Sequence, residues 1–191
     1  MDDDLTAQVR HACEFLRDPA NAKPAAAFPE GQRDVEQAGL YARTVDAAGR
    51  AALSTAFDIE LPALIYAGQA GATSSRSGVE RGATLRSRII GNHLRGNIRS
   101  STFRKTLTAV LFEPLDLQLE RPGKLDTLSN AMVSEWMRAH LHIATLACPD
   151  RATLAALEHG VLAALDPPLN LMGMAPTETR KRLKALRKQI S

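Results

Sequence analysis

Cysteine is nearly missing from this chain. Cys13 and Cys148 are too few for a disulfide framework, so a reducing, cytoplasmic setting is expected. Long apolar runs are missing too. No stretch approaches the roughly 18 residues of a membrane span, and the acidic opening Met1-Asp2-Asp3-Asp4 is unlike a secretory leader. The glycine-rich phosphate loop of NTPases, the dinucleotide fingerprint and the serine-nucleophile elbow do not occur. Aromatics are scarce, with one tryptophan and two tyrosines, Tyr41 and Tyr66. Secreted disulfide scaffolds, membrane carriers and the common nucleotide-driven and serine-hydrolase classes are thereby set aside.

What remains is a chain of 191 residues, 45% hydrophobic and 24% charged, long enough for one domain with a real core and an appendage. The net charge is only +3, but it is unevenly spread. Residues 76–105 carry eight arginines and lysines against Glu80 alone. Residues 175–191 carry six against Glu178 alone. Two basic blocks in an otherwise acidic chain are the expected footprint of a surface that binds a polyanion.

Periodicity then orders the chain. Leu5, Val9, Ala12, Cys13 and Leu16 have helical spacing, which predicts an amphipathic helix over 5–17 that covers the core. Residues 18–33, punctuated by Pro19, Pro24, Pro29 and Gly31, read as an extended linker. In Gly39–Val45, Leu40, Ala42 and Thr44 alternate with Tyr41, Arg43 and Val45, as in a strand of a sheet with one covered face. Leu64–Ala67 is a second strand, stopped by Gly68 and Gly71, and Leu141–Leu146 fits a third. Further helices are expected over 100–113, 129–140, 152–162 and about 177–190, with 113–127 as a loop. The expected fold is α+β: a small, mostly antiparallel three-stranded sheet flanked by helices. Residues 1–38 form an N-terminal helix and linker, 39–174 the main domain, and 175–191 a basic C-terminal helix packed on it.

The strand at 64–67 delivers Tyr66, and the helix opening at Leu85 delivers Arg86 and Arg88. A phenol and a guanidinium near one point suit a phosphate, because arginine grips phosphate oxygens through a rigid bidentate fork. Gly39-Leu40-Tyr41 followed by Tyr66-Ala67-Gly68 resembles the paired signature of the GIY-YIG nuclease superfamily. Three further elements continue that resemblance in order: Leu85-Arg86-Ser87-Arg88, Leu157-Glu158 and Pro167-Pro168-Leu169-Asn170. His93-Leu94-Arg95-Gly96-Asn97, Ser101–Leu107 and Glu135-Trp136-Met137 are similar to an uncharacterised bacterial group within it, itself reminiscent of the superfamily's type II restriction enzymes.

The resemblance implies a metal-dependent endonuclease that hydrolyses phosphodiesters, in DNA before RNA, by direct attack of water. It implies Tyr41 as base, Tyr66 and Asn170 as positioning groups, Arg88 as clamp on the transition state, and Glu158 as ligand of one Mg²⁺ or Mn²⁺ ion. A second carboxylate is not needed, since magnesium accepts one carboxylate, waters and substrate phosphate. The alternative for Glu158 is a salt bridge to Arg88 in a fold that does no chemistry. Two departures bear on the site. About a dozen extra residues precede the arginine, so the alignment that selects Arg88 over Arg86 is a choice. Asn92 stands one turn after Arg88, where some members carry histidine or tyrosine, and His93 lies one residue beyond. His93 is therefore counted in the site, with a structural or phosphate-contacting role rather than that of a base.

Arg86, Arg95, Arg99, Arg104 and Lys105 are expected to contact nucleic acid, the last three where a helix start also favours anions. His140 and His142 with Cys148 make an incomplete set for zinc. Cutting both strands of a duplex would call for a homodimer. The competing readings are a non-catalytic nucleic-acid-binding module on the same fold, and a protein adaptor that uses the basic C-terminal helix.

Overall fold

The structure, a computed structural model, describes residues 3–72 and 82–191. Arg76, Glu80 and Arg81 of the first basic block lie outside the described residues. The main sheet is antiparallel throughout and has four strands rather than three. They lie in the order β1 (Lys23–Pro24), β6 (Leu141–Ala147), β2 (Gly39–Val45), β3 (Leu64–Ala70). The extra edge strand comes from the segment read as a linker. Pro24 can sit there because an edge strand has one unpaired side. Gln32 then ties the following turn to the sheet, donating to the Ile143 carbonyl at 2.8 Å and accepting from the Thr145 hydroxyl at 2.6 Å.

Six α-helices surround the sheet among the described residues: α1 (Asp3–Arg17), α2 (Ala47–Phe57), α3 (Thr102–Leu111), α4 (Thr127–His140), α5 (Arg151–Leu165) and α6 (Glu178–Gln189). None is long and apolar enough to cross a membrane. Helix α2 fills the long connection between the two tyrosine strands, and a small hairpin, β4 (Leu119–Arg121) with β5 (Lys124–Leu125), replaces the loop expected at 113–127. Side-chain oxygens cap several helix starts, as Asp46 does for α2 and Ser101 for α3, so the first N–H groups are not left unsatisfied.

Both faces of the sheet are covered, not one. Leu40, Ala42, Ala67 and Ala144 meet α1 and α5 through Ala12, Leu16, Leu154 and Val161. The other face carries Tyr41, Val45, Ile65 and Tyr66 against Phe103, Leu107 and Met137. Both alternating sets of β2 are thus buried, Arg43 included, with only Thr44 half-buried. A register shift between Arg43 and Thr44 bulges β3, so that the consecutive residues Ile65 and Tyr66 both join this larger core. Helix α6 packs on α3 and closes this core through Leu183 and its C-cap residue Ile190.

Candidate active site

The two tyrosines come together because β2 and β3 pair directly. Tyr41 stands opposite Gly68, and Arg43 opposite Tyr66, so the phenols are diagonal neighbours on one face. Their rings lie 6.4 Å apart between centroids. Gly68 makes this possible: a Cβ there would lie 2.9 Å from the Tyr41 hydroxyl. Gly68→Ala is therefore expected to displace that hydroxyl and cut activity about tenfold or more, while melting temperature falls only modestly, as overpacking costs of ~1–3 kcal/mol imply. Parallel kinetic and melting measurements on the variant check this.

The helix that follows β3 in the chain opens at Leu85, where the sequence placed it. Thr84 and Ser87 cap it reciprocally, each hydroxyl accepting from the other's N–H at 2.9 and 3.1 Å. The winding then changes. Arg88 N–H still bonds the Thr84 carbonyl four residues back, but Ser87–Leu94 is π-helical and Arg95 N–H reaches the Ile90 carbonyl five residues back. In such a turn, position i+5 replaces i+4 on the same face. His93, not Asn92, therefore follows Arg88 inward. Asn92 turns to the Ser100 carbonyl instead. Gly96 lets the chain leave the wide turn, since a Cβ there would fall 2.1 Å from the Asn92 carbonyl oxygen.

His93 is the hub of the buried site. Its Nε2 lies 3.2 Å from the Tyr41 hydroxyl and its Nδ1 3.2 Å from Ser101 Oγ. Ser101 is the N-cap of α3, so its oxygen also accepts from Arg104 N–H. Burial, then Arg43, Arg88 and Arg104, hold the imidazole well below its ordinary pKa, so it is neutral near neutral pH. Burial raises the pKa of both phenols; Arg43 and Arg88 oppose this, while Glu158 adds to it.

Arg88 is half-buried with its Nε shielded and without a hydrogen-bond partner, and its charge reaches both tyrosines, His93 and Glu158. Arg86 points elsewhere and pairs with Glu36 at 2.8 Å on the surface. Glu158 sits on α5 in the wall of a cavity of about 510 Å³ that Tyr66, Thr102, His159 and Asn170 also line. Burial raises its carboxyl pKa, against the Gln69 backbone and Arg88. No salt bridge among the described residues takes it. The ion pair with Arg88 that a chemically silent fold would use is thus not formed. Asn170 is buried, and its amide is spent on one residue: Nδ2 donates to the Ala67 carbonyl at 2.8 Å and Oδ1 accepts from Ala67 N–H at 3.0 Å. It staples the strand next to Tyr66.

Two arginines leave the expected basic surface. Arg104 is fully buried and donates to the His93 and Leu94 carbonyls, Asn130 and Ser134. It closes the π-helical end and cannot reach a nucleic acid. Arg180, from the C-terminal block, is buried against Asn170, Pro167 and Asp166. Arg95 and Arg99 stay exposed and Lys105 is half-buried. Beside the cavity runs a basic groove whose walls include Arg99, Lys105, Lys184, Arg187 and Lys188, joined to it at Thr102 and Met172. Desolvation lowers the Lys105 and Arg187 pKa values, and Arg187 lowers that of Lys105 further. Crowded cations of this kind favour an anion between them. Sequence reading did not single out Arg187 within its basic block, nor Arg43, although Arg43, two residues after Tyr41 on one strand, had to share its face.

The GIY-YIG catalytic domain model matches residues 43–189, beginning two residues after Tyr41. The chain belongs to the GIY-YIG nuclease superfamily. Neither the curated proteins nor the solved structures include a match to it.

Proposed function

We propose that the chain is a divalent-metal-dependent endonuclease that hydrolyses DNA by direct attack of water on phosphorus. The observation that carries this reading is the Tyr41–His93 pair, held in the field of Arg43 and Arg88 beside a cavity that presents Glu158. Glu158 fits a magnesium or manganese ion: it is a carboxylate aimed into a roomy cavity with no cation paired to it. No group of three or more His, Cys, Asp or Glu residues stands together among the described residues, so an all-protein cage does not fit. When bound, the ion supplies Lewis-acid polarisation of the phosphate and a more acidic water.

The protein groups divide the remaining work. Tyr41, as phenolate, takes the proton of the attacking water while the water oxygen bonds to phosphorus. The P–O bond to the leaving strand breaks, the departing oxygen takes a proton from solvent, and the phenol returns its proton to solvent. His93, kept neutral, accepts from the phenol and donates to the phenolate, with Ser101 exchanging roles on its far side. Arg88 meets the charge that grows on the phosphoryl oxygens. Tyr66 orients water or phosphate from the cavity wall, and Asn170 keeps its strand in place. Phosphates flanking the scissile one lie along Arg99, Lys105 and Arg187.

Cleavage of supercoiled plasmid with Mg²⁺ or Mn²⁺, against EDTA, tests this reading, with Tyr41→Phe alongside and RNA as a parallel substrate. Metal-dependent cutting lost in Tyr41→Phe is expected; DNA bound but never cut would reject the reading. The groove makes a separate prediction. Lys105→Ala with Arg187→Ala should weaken DNA binding uniformly across sequences and lower the slope of log K against log salt by about 2, near 0.9 per lost phosphate contact. Titrations across a salt series measure this.

A further inference from the structure

Arg43 presents a problem that folding alone does not explain. It is 0% exposed, and none of its three guanidinium nitrogens has a hydrogen-bond partner. No carboxylate among the described residues pairs with it. Its company is aromatic: the guanidinium carbon lies 4.5 Å from the centre of the Phe103 ring and 5.4 Å from that of Tyr41. Tyr66 faces it across the strand pair. Burying an unpaired charge costs far more than cation–π contact with neutral rings returns. The same molecule buries Arg104 and Arg180 with their nitrogens on carbonyls and side-chain oxygens. An apolar side chain at 43 would fill the space without the penalty.

The penalty is relieved in one circumstance. When a phenol beside it ionises, a neutral ring becomes an anionic one under the cation. We propose that Arg43 is a buried counter-charge that favours the phenolate of Tyr41, a positioning residue that acts on the reaction only through that phenol. The role in cleavage rests on the nuclease reading above; the effect on the phenol does not.

The groups around Tyr41 support this division. Tyr66 from β3 and Glu158 from α5 oppose its ionisation, and Arg43 and Arg88 favour it, Arg43 the more strongly. His93 is uncharged and turns either donor or acceptor toward it. Desolvation pushes the Arg43 guanidinium down to about 10, which still leaves it charged at neutral pH.

The test uses the fact that the chain has only two tyrosines, both in the site. In a Tyr66→Phe background, Tyr41 is replaced by a fluorinated tyrosine, whose phenol ionises nearer neutral pH, and its phenolate absorbance is titrated. Arg43→Met is expected to move the titration upward by about one unit or more, a tenfold change in the ionisation constant. Arg43→Lys should restore most of the shift. Melting temperature of Arg43→Met should equal or exceed that of the parent, since a buried charge has been replaced by an apolar chain of similar length. An unmoved titration in folded Arg43→Met overturns the proposal. So does an upward shift that Arg43→Lys does not reverse, because the charge would then not be its cause. A titration that shifts as expected in a protein that never cuts DNA leaves the counter-charge standing and removes the nuclease reading instead.

Discussion

Glu158→Gln is expected to yield a folded protein that cuts plasmid at least about a thousandfold more slowly. Two carboxylates stand in the cavity wall with Tyr66 and Asn170: Asp166 is paired with Arg180 at 2.7 Å, and Glu158 has no such cation among the described residues. Losing a metal-held phosphate contact removes several kcal/mol of transition-state stabilisation, and about 4 kcal/mol corresponds to a thousandfold. Stability should move the other way. Burial raises the Glu158 pKa in the folded state, so ionisation opposes folding. That penalty is present at pH above the folded pKa and vanishes below the unfolded one. At neutral pH the neutral glutamine is therefore expected to melt no lower than the parent. Single-turnover cleavage and thermal melting on the same preparation separate the two effects. A variant that kept parental rates would show that Glu158 holds nothing the reaction needs.

Arg88→Lys carries the second large effect. Lysine keeps the positive charge but replaces a planar fork with a single ammonium, so the two parallel bonds to phosphoryl oxygens are lost. Removal of one preorganised donor costs about 10²–10³ in kcat in comparable sites. KM for DNA should change little, since the charge is retained and the flanking groove is intact. Melting should also change little, because Arg88 Nε has no hydrogen-bond partner to lose. Arg86→Lys is the control. Arg86 is tied to Glu36 on the surface, and its replacement should leave kcat within about twofold, in line with the small worth of exposed ion pairs. Equal losses in the two variants would mean that the arginine has been misassigned.

Much of the architecture could be read without coordinates. Alternation at 39–45 and the apolar run after Leu64 located the tyrosine strands, and 3.6-residue spacing located five of the six α-helices, all but α2, because burial selects side chains at the period of the element. The spacing of His93 was legible but misleading. Counting by α-helical turns selects Asn92, and only the change to π-winding between Arg88 and Arg95 brings His93 to Tyr41. Chemical identity was no better a guide to the basic residues. Arg104 and Lys105 are adjacent in the sequence, yet one staples α3 to the π-helical end and α4, while the other lines the groove.

Sequence alone determined the class of fold, the positions of the two tyrosine strands and the kinds of side chain available to the site, because these depend on local periodicity and residue chemistry. Tertiary structure decided which arginines are spent on carbonyls, which one is left buried beside the phenols, and that both sheet faces are covered. Those outcomes depend on what packs against each side chain from distant parts of the chain, and no local pattern records it.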